Sequence, residues 1–281
     1  MVTLYLIDFR CRPPTKEYQT YFTRKKVSSS HSRYMEAPRI PRSYEESSVE
    51  LFLKEAEELG IKKMVATGRI IESCQIPNEH LAYLQKKYPD NIIALGGIDP
   101  ANQFHNALDE VDRCAHEYGM KGINMEPGRS KLKMYVDDRR IYPIYEKCQR
   151  LGLIVSLMSS YLAGDDISYT DPVRFQRVAR DFPELKIVPG HGCWPFVTQI
   201  IAVAQNHKNV YISPDCYFYA PGSEPYVQAA NVTCKDQVLF GTAFPLRPLD
   251  WSIEMYNKLP LTDEARYKVS YLNAARLLGI E

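Results

Sequence analysis

The sequence predicts an α/β protein with a single domain over residues 1–281, a (β/α)8 TIM barrel. Short apolar, β-branched segments alternate with amphipathic helical segments, which is typical of a parallel sheet covered by helices. Eight such pairs in 281 residues suit one closed barrel. The predicted strands are residues 3–8, 63–66, 92–95, 122–125, 154–157, 186–189, 210–213 and 237–241.

Residues typical of helix ends support this pattern. Ser43 and Thr262 begin periodic segments, where a hydroxyl can accept a hydrogen bond from the first helical turn. Gly60, Gly152 and Gly279 follow such segments, where a left-handed residue often ends a helix. We therefore expect a helix between each strand and the next.

Composition excludes several classes of function. Lys and Arg total 35 against 34 for Asp and Glu, so bulk charge does not favour nucleic acid or a membrane surface. The seven cysteines have no CxxC spacing and are typical of reduced thiols in the cytoplasm. No apolar run reaches about 18 residues. We expect a cytoplasmic protein with a small-molecule partner, and a homo-oligomer as is common among barrels.

The segment after the first strand, about residues 12–41, is rich in Arg, Lys, Ser, Tyr and Pro. It is too long for an ordinary connection between a strand and a helix. Because it follows a barrel strand, it emerges on the catalytic face. It is predicted to be a lid, with a disordered or oligomer-contacting excursion as the alternative. We call it the lid segment below.

Charged and titratable residues gather where the predicted strands end. The carboxyl ends of barrel strands meet at one mouth, where active sites are built. The residues expected there are Arg10, Arg12, Arg69, Asp99, Asn124, Glu126, Met158, His191, Asp215, Thr242 and Ala243, with Arg247 in the loop that follows.

Several short motifs occur in a fixed order along nearly the whole chain. They are IDFRCRP (7–13), YPD (88–90), GGIDP (96–100), GINMEPG (122–128), DDRRIYPIY (137–145), GHGCWP (190–195), LFGTAFP (239–245) and NAARLLG (273–279). In these motifs the chain resembles the amidohydrolase-related (amidohydrolase 2) family. That family includes aminocarboxymuconate semialdehyde decarboxylase and 2-pyrone-4,6-dicarboxylate lactonase, and the resemblance implies a TIM barrel.

The resemblance also implies that the usual metal ligands are missing. Metal-binding members carry His-x-His after strand one, a His after each of strands five and six, and an Asp after strand eight. A guanidinium cannot give up its proton to bind a cation, and one imidazole does not make a catalytic metal site. We therefore expect no cofactor. The corresponding residues here are Arg10, Arg12, Met158, His191 and Ala243.

The arginines at the mouth indicate an anionic substrate. Arg10 and Arg12 are two residues apart on one strand and share a face, and planar guanidinium groups bind carboxylates with two hydrogen bonds. Arg69 and Arg247 could complete the site. The alternative is that Asp8, Glu126 or Asp215 neutralises the arginines in buried ion pairs. Further candidate substrate-binding residues are Asn124, Trp194 and Tyr217.

His191 is the predicted general acid or base, because an imidazole titrates near neutrality. Asp215 could orient His191, act as a base itself, or only cap a turn. Glu126 could be a base or the counter-ion of the arginines. One alternative keeps a divalent metal on His191 with Asp215 or Glu126.

These expectations lead to a functional hypothesis. The favoured reaction is metal-independent hydrolysis of a lactone, ester or amide in a small carboxylated substrate. Decarboxylation, or cleavage of another carbon–carbon bond, is the alternative, since arginines stabilise the negative charge that develops in either reaction. A non-catalytic binding protein that has lost its metal is the third hypothesis.

Overall fold

The computed structural model describes residues 5–32, 39–101 and 104–281, and parallel strands form its centre. The sheet runs in the order β1-β2-β5-β6-β7-β8, and β3 and β4 form a separate antiparallel pair. The strands are β1 (Leu6–Cys11), β2 (Ile61–Thr67), β3 (Ile70–Ile71), β4 (Cys74–Gln75), β5 (Ile92–Ile98), β6 (Gly122–Met125), β7 (Ile154–Met158) and β8 (Lys186–Gly190).

Two further segments complete the ring. Residues 210–213 continue the sheet beyond β8 through single parallel bridges, and Ile212 is bridged in turn to Val238. The ring closes where the Phe9 amide donates to the Phe240 carbonyl at 2.9 Å and the Ala243 amide donates to the Arg10 carbonyl at 2.9 Å. The predicted TIM barrel is therefore confirmed.

Helices surround the sheet. None in the described part of the chain is long and apolar enough to span a membrane. The α-helices are α1 (Lys16–Gln19), α2 (Arg24–Ser32), α3 (Arg42–Glu45), α4 (Val49–Glu58), α5 (Asn78–Lys87), α6 (Phe104–Asp112), α7 (Tyr142–Leu151), α8 (Pro172–Asp181), α9 (Val197–Asn206), α10 (Glu224–Gln228), α11 (Leu249–Asn257), α12 (Asp263–Tyr267) and α13 (Asn273–Leu278).

Most predicted helix ends are found where expected. The Thr262 hydroxyl accepts a hydrogen bond from the first turn of α12. Gly152 and Gly279 end α7 and α13 with φ of 67° and 65°, and Gly60 also has a positive φ. Ser43 is the exception. It lies inside α3, and its hydroxyl donates to a glutamate of α4 instead of capping a helix.

The first strand differs from the prediction. It was expected at residues 3–8, but β1 runs to Cys11, and Thr3 lies outside the described residues. The polar side chains of Asp8 and Arg10 ended the apolar pattern, yet both are buried with polar partners. Arg10 therefore lies within the strand, deeper in the barrel than expected.

The lid segment packs over the carboxyl ends of the strands where it is described; residues 33–38 lie outside the described residues. The Tyr18 hydroxyl donates to the Thr67 carbonyl at the end of β2, at 2.9 Å. The Tyr44 hydroxyl donates to the Phe22 carbonyl. These contacts hold α1 and α2 beside the barrel mouth. The function of the segment as a lid stays a prediction.

Candidate active site

A cavity of about 320 Å³ opens at the carboxyl ends of the strands. This is within the size range of small-molecule sites. None of the described residues that line it is acidic. Its cationic side chains are Arg12, Lys26, Arg69, Arg129 and Arg247. An anion is the natural ligand of such a cavity.

Arg12 directly follows β1 and is only 3% exposed. Its Nη1 has no hydrogen-bond partner among the described residues, and none of their ion pairs includes it. Burial and the nearby Arg10 and Arg69 lower the pKa of Arg12 to about 10, so it is still a cation at neutral pH. A buried cation without a counter-ion is costly. Arg12 therefore provides a place for a substrate carboxylate.

Arg10 lies below the cavity and does not line it, which corrects its expected role in binding substrate. Its Nε is 3.4 Å from Asp215 Oδ2, and its Nη1 donates to Ser156 Oγ at 3.2 Å. Glycine is needed beside it, since a Cβ at Gly190 would lie 2.5 Å from Arg10 Nη1. The alternative of a buried ion pair is what the geometry shows for this arginine.

His191 lines the cavity, and its Nδ1 is 3.0 Å from Asp215 Oδ2. The same oxygen accepts the His191 backbone amide at 3.1 Å. A carboxylate beside Nδ1 favours the tautomer with its proton there, which leaves Nε2 available to substrate. Burial and the charge of Arg10 lower the pKa of His191 to about 4, so the imidazole is neutral in the empty site.

Asp215 orients this imidazole and does not itself line the cavity. Its Oδ1 accepts the Ser213 hydroxyl at 2.5 Å. Burial acts to raise the pKa of Asp215, but contacts with His191 and Arg10 outweigh it and lower the pKa. An ionised carboxylate with these partners suits a positioning residue better than a free base.

Several residues at the strand ends have backbones that side chains rarely adopt. His191, Cys193, Asp215 and Ala243 have φ of 72°, 59°, 53° and 60°. Such strain costs about 1–3 kcal/mol per residue and persists where surrounding structure holds it, often at functional sites. The strained residues support placing the site at this mouth.

Glu126 forms a bidentate ion pair with Arg69. Arg69 Nε donates to Oε1 at 2.7 Å and Nη2 donates to Oε2 at 2.9 Å. Burial acts to raise the pKa of Glu126, but Arg69 outweighs it and lowers the pKa. Glu126 does not line the cavity, so the counter-ion interpretation is favoured over the base. Asn124 also lies off the cavity, and its amide donates to the Gly68 carbonyl at 2.8 Å.

One aromatic side chain of the predicted pair lines the cavity. Tyr217 faces it, and the Trp194 ring stacks on Tyr217 with centroids 5.4 Å apart. Trp194 does not line the cavity, and its Nε1 donates to the Pro221 carbonyl at 3.1 Å. Tyr217 can thus contact a substrate ring, while Trp194 supports it.

The lid segment contributes cavity residues that the motifs did not identify. Tyr21, Phe22 and Lys26 line the cavity, and Arg247 Nη1 donates to Ser30 Oγ at 2.7 Å. The basic and aromatic composition of the segment was the one sequence signal for these side chains. Arg129 was also missed, although it closely follows the predicted end of β6.

The residues at the mouth do not fit a divalent metal. Asp215 and Glu126, the acids of the alternative metal site, are taken up by Arg10 and Arg69. Across the described residues no group of three or more His, Cys, Asp or Glu side chains could hold an ion. The positions of the usual ligands hold Arg10, Arg12, Met158, His191 and Ala243.

A family model described as amidohydrolase matches residues 7–280. The chain belongs to the amidohydrolase family. This amidohydrolase shares 37% sequence identity with an uncharacterized TIM-barrel protein from Bordetella bronchiseptica. The two structures align with a TM-score of 0.92 over 99% of each chain.

Two relatives of this amidohydrolase have named activities. A 2-amino-3-carboxymuconate-6-semialdehyde decarboxylase from Dictyostelium discoideum is 26% identical over 158 residues, which are 56% of this chain and 40% of that protein. A 2,6-dihydroxybenzoate decarboxylase solved with 2,6-dihydroxybenzoate is 15% identical, with a TM-score of 0.71 over 100% of this chain and 99% of the other. At that identity the likeness shows the fold. Both named activities are decarboxylations.

Proposed function

We propose that this amidohydrolase removes the carboxyl group of a small aromatic or unsaturated carboxylic acid without a metal. The observation that carries the proposal is Arg12, a buried guanidinium without an anionic partner in a cationic cavity. The named relatives support decarboxylation over the hydrolysis that the sequence favoured. Hydrolysis also needs a base for water, and Asp215 and Glu126 are both ion-paired away from the cavity.

Substrate binding uses the charge and the aromatic surface of the cavity. A carboxylate pairs with Arg12, where two parallel hydrogen bonds fix its plane. The flat part of the substrate lies against Tyr217, whose ring is held by Trp194. These contacts fix the reacting carbon beside His191, which lines the same cavity.

Binding of the anion prepares the proton donor. Arg10 and Arg12 both act to lower the pKa of His191. An anion on Arg12 offsets this charge, so the pKa of His191 rises and the imidazole takes up a proton from solvent. Asp215 then stabilises the imidazolium through Nδ1.

The reaction consumes this proton. The bond between the carboxyl carbon and its neighbour breaks, its electron pair stays on the neighbour, and CO2 leaves. His191 Nε2 gives its proton to that carbon. The overall change is RCOO⁻ plus H⁺ to RH plus CO2, and His191 is protonated again by water. Positioned proton transfer of this kind contributes about 10²–10⁴-fold to a rate.

The test is a release assay with a panel of hydroxylated benzoates and unsaturated dicarboxylates, which includes 2,6-dihydroxybenzoate. We expect CO2 release that Arg12→Gln and His191→Gln abolish and that dialysis against a chelator leaves unchanged. Arg177→Gln is the matched control, since this exposed arginine pairs with Asp137 far from the cavity residues.

Three results would contradict the proposal. Activity lost to the chelator and restored by a divalent ion would show a metalloenzyme. Cleavage of lactones or esters without CO2 release would restore the hydrolase. Tight binding of the acids with no turnover would indicate a binding protein.

A further inference from the structure

Tyr21 is a cavity residue with an unusual set of neighbours. It lies between α1 and α2, in the lid segment, and lines the cavity together with His191. The binding and proton-transfer steps above make no use of it. We propose that Tyr21 is a second acid of the site, whose hydroxyl donates to the substrate oxygen on which charge develops as the carbon–carbon bond breaks. This inference rests on the proposed decarboxylation.

The first observation is the direction of the hydrogen bond at the phenol. Arg129 Nη2 donates to the Tyr21 hydroxyl oxygen at 3.0 Å. A guanidinium has only donors, so the phenolic oxygen is the acceptor and its own hydrogen is free for another partner. Because Tyr21 lines the cavity, that partner can be a substrate oxygen.

The second observation is the charge around the ring. The Arg69 guanidinium carbon lies 4.4 Å from the ring centroid, and Lys26 Nζ lies 2.9 Å from it. The charged groups that act on Tyr21 are thus Arg69, Lys26 and Arg129, all cations. Burial acts to raise the pKa of Tyr21, but these three cations outweigh it and lower the pKa.

The third observation is that two of these cations are fixed by the protein. Arg69 is held by both oxygens of Glu126. Arg129 Nη1 donates to the Leu162 carbonyl at 3.0 Å, and its Nε is 3.9 Å from Glu126. The environment that stabilises a phenolate exists before substrate arrives. Preorganised charge of this kind is the most effective in catalysis.

The step balances as follows. The electron pair of the breaking carbon–carbon bond forms a carbon–carbon double bond, and the adjacent C=O becomes an enol as it takes the Tyr21 proton. CO2 leaves, and Tyr21 becomes a phenolate beside Arg129. His191 then protonates carbon, and the enol returns its proton to Tyr21. One proton is consumed in total, through His191.

This assignment narrows the substrate class. The acid must carry an oxygen conjugated with the carbon that bears the carboxylate, as in a keto acid or a ring with an adjacent oxygen. An acid without such an oxygen offers Tyr21 nothing to protonate. We expect 2-hydroxybenzoate to bind more tightly than benzoate, because Tyr21 can donate only to the former.

The binding test needs no turnover. Calorimetry of wild type and Tyr21→Phe with both acids should show that the variant loses about tenfold in affinity for 2-hydroxybenzoate and little for benzoate. Exposed Tyr83→Phe is the matched control. Equal losses for both acids, or no loss, would overturn the inference while leaving the proposed decarboxylation intact.

A titration tests the phenol itself. With ¹³C-labelled tyrosine, the resonance that disappears in Tyr21→Phe should titrate below the usual pKa of about 10 and return toward it in Arg129→Met. Once a substrate is known, Tyr21→Phe should lower kcat about 100-fold with little change in KM. A resonance that titrates at or above the usual value, or an unchanged kcat, would refute the role.

Discussion

Arg10 and Asp215 form a buried ion pair beneath the cavity, with Nε 3.4 Å from Oδ2. The same Oδ2 lies 3.0 Å from His191 Nδ1. The position of the imidazole therefore depends on a carboxylate that is itself held by an internal arginine. Neither Arg10 nor Asp215 touches the cavity, yet both set its chemistry.

Removal of the Arg10 charge should destabilise the protein strongly. Arg10→Gln leaves the Asp215 carboxylate buried without its cation, which costs about 3–5 kcal/mol of unfolding free energy. Urea denaturation measures this. The control is Arg24→Gln, which removes an exposed ion pair with Glu45 and should cost less than about 1 kcal/mol. Equal costs would contradict the buried pair.

Arg12 should lower stability in return for binding. Because its guanidinium is buried without a partner, Arg12→Met should raise the unfolding free energy by about 1–3 kcal/mol. The same variant should lose benzoate affinity about 10–100-fold, as expected for a charge-assisted hydrogen bond. Saturating benzoate should then stabilise only the wild type. A less stable Arg12→Met would show that the guanidinium has a protein partner.

Benzoate should bind more tightly as pH falls. The pKa of His191 is about 4 in the empty site and rises when the anion offsets Arg12, so the complex takes up a proton. Between these two pKa values each pH unit lowers Kd by up to about tenfold. Calorimetry from about pH 8 to about pH 5.5 covers a range in which benzoate stays ionised. His191→Gln should remove the dependence, and a flat wild-type profile would argue against His191.

Asp8 should make the protein less stable at alkaline pH. Burial raises the pKa of Asp8 to about 7, against hydrogen bonds from Thr242 that act to lower it. The folded state then binds the proton more tightly than the unfolded chain, so this stabilisation is complete below about pH 4 and is lost as pH rises through about 7. Asp8→Asn should flatten the fall in Tm across that range. Asp90→Asn, at an exposed residue, should leave the slope unchanged.

The barrel could be predicted because apolar periodicity marks every strand of the ring. The main error was β1, where buried polar residues interrupt the pattern that marks a strand. Strand ends also identified Arg12, Arg69 and His191 as residues of the mouth, and all three line the cavity. The sequence could not predict which acid pairs with which arginine, because pairing depends on side-chain geometry across the barrel.

The residues from loops were harder to find than those from strands. Tyr21 and Lys26 come from the lid segment, where no periodic pattern indicates which side chains face the mouth. Arg129 lies in a turn after β6. Trp194 and Asn124 were placed correctly near the strand ends, but neither lines the cavity because each meets a backbone carbonyl instead.

The positive charge beside Asp215 has one further consequence. Arg10 is part of the polypeptide, so this charge arrives with translation and cannot be exchanged, stripped or replaced by a competing ion. The carboxylate is neutralised as soon as the chain folds, whatever the mineral supply of the cell. Evolution can alter that charge only by changing a codon.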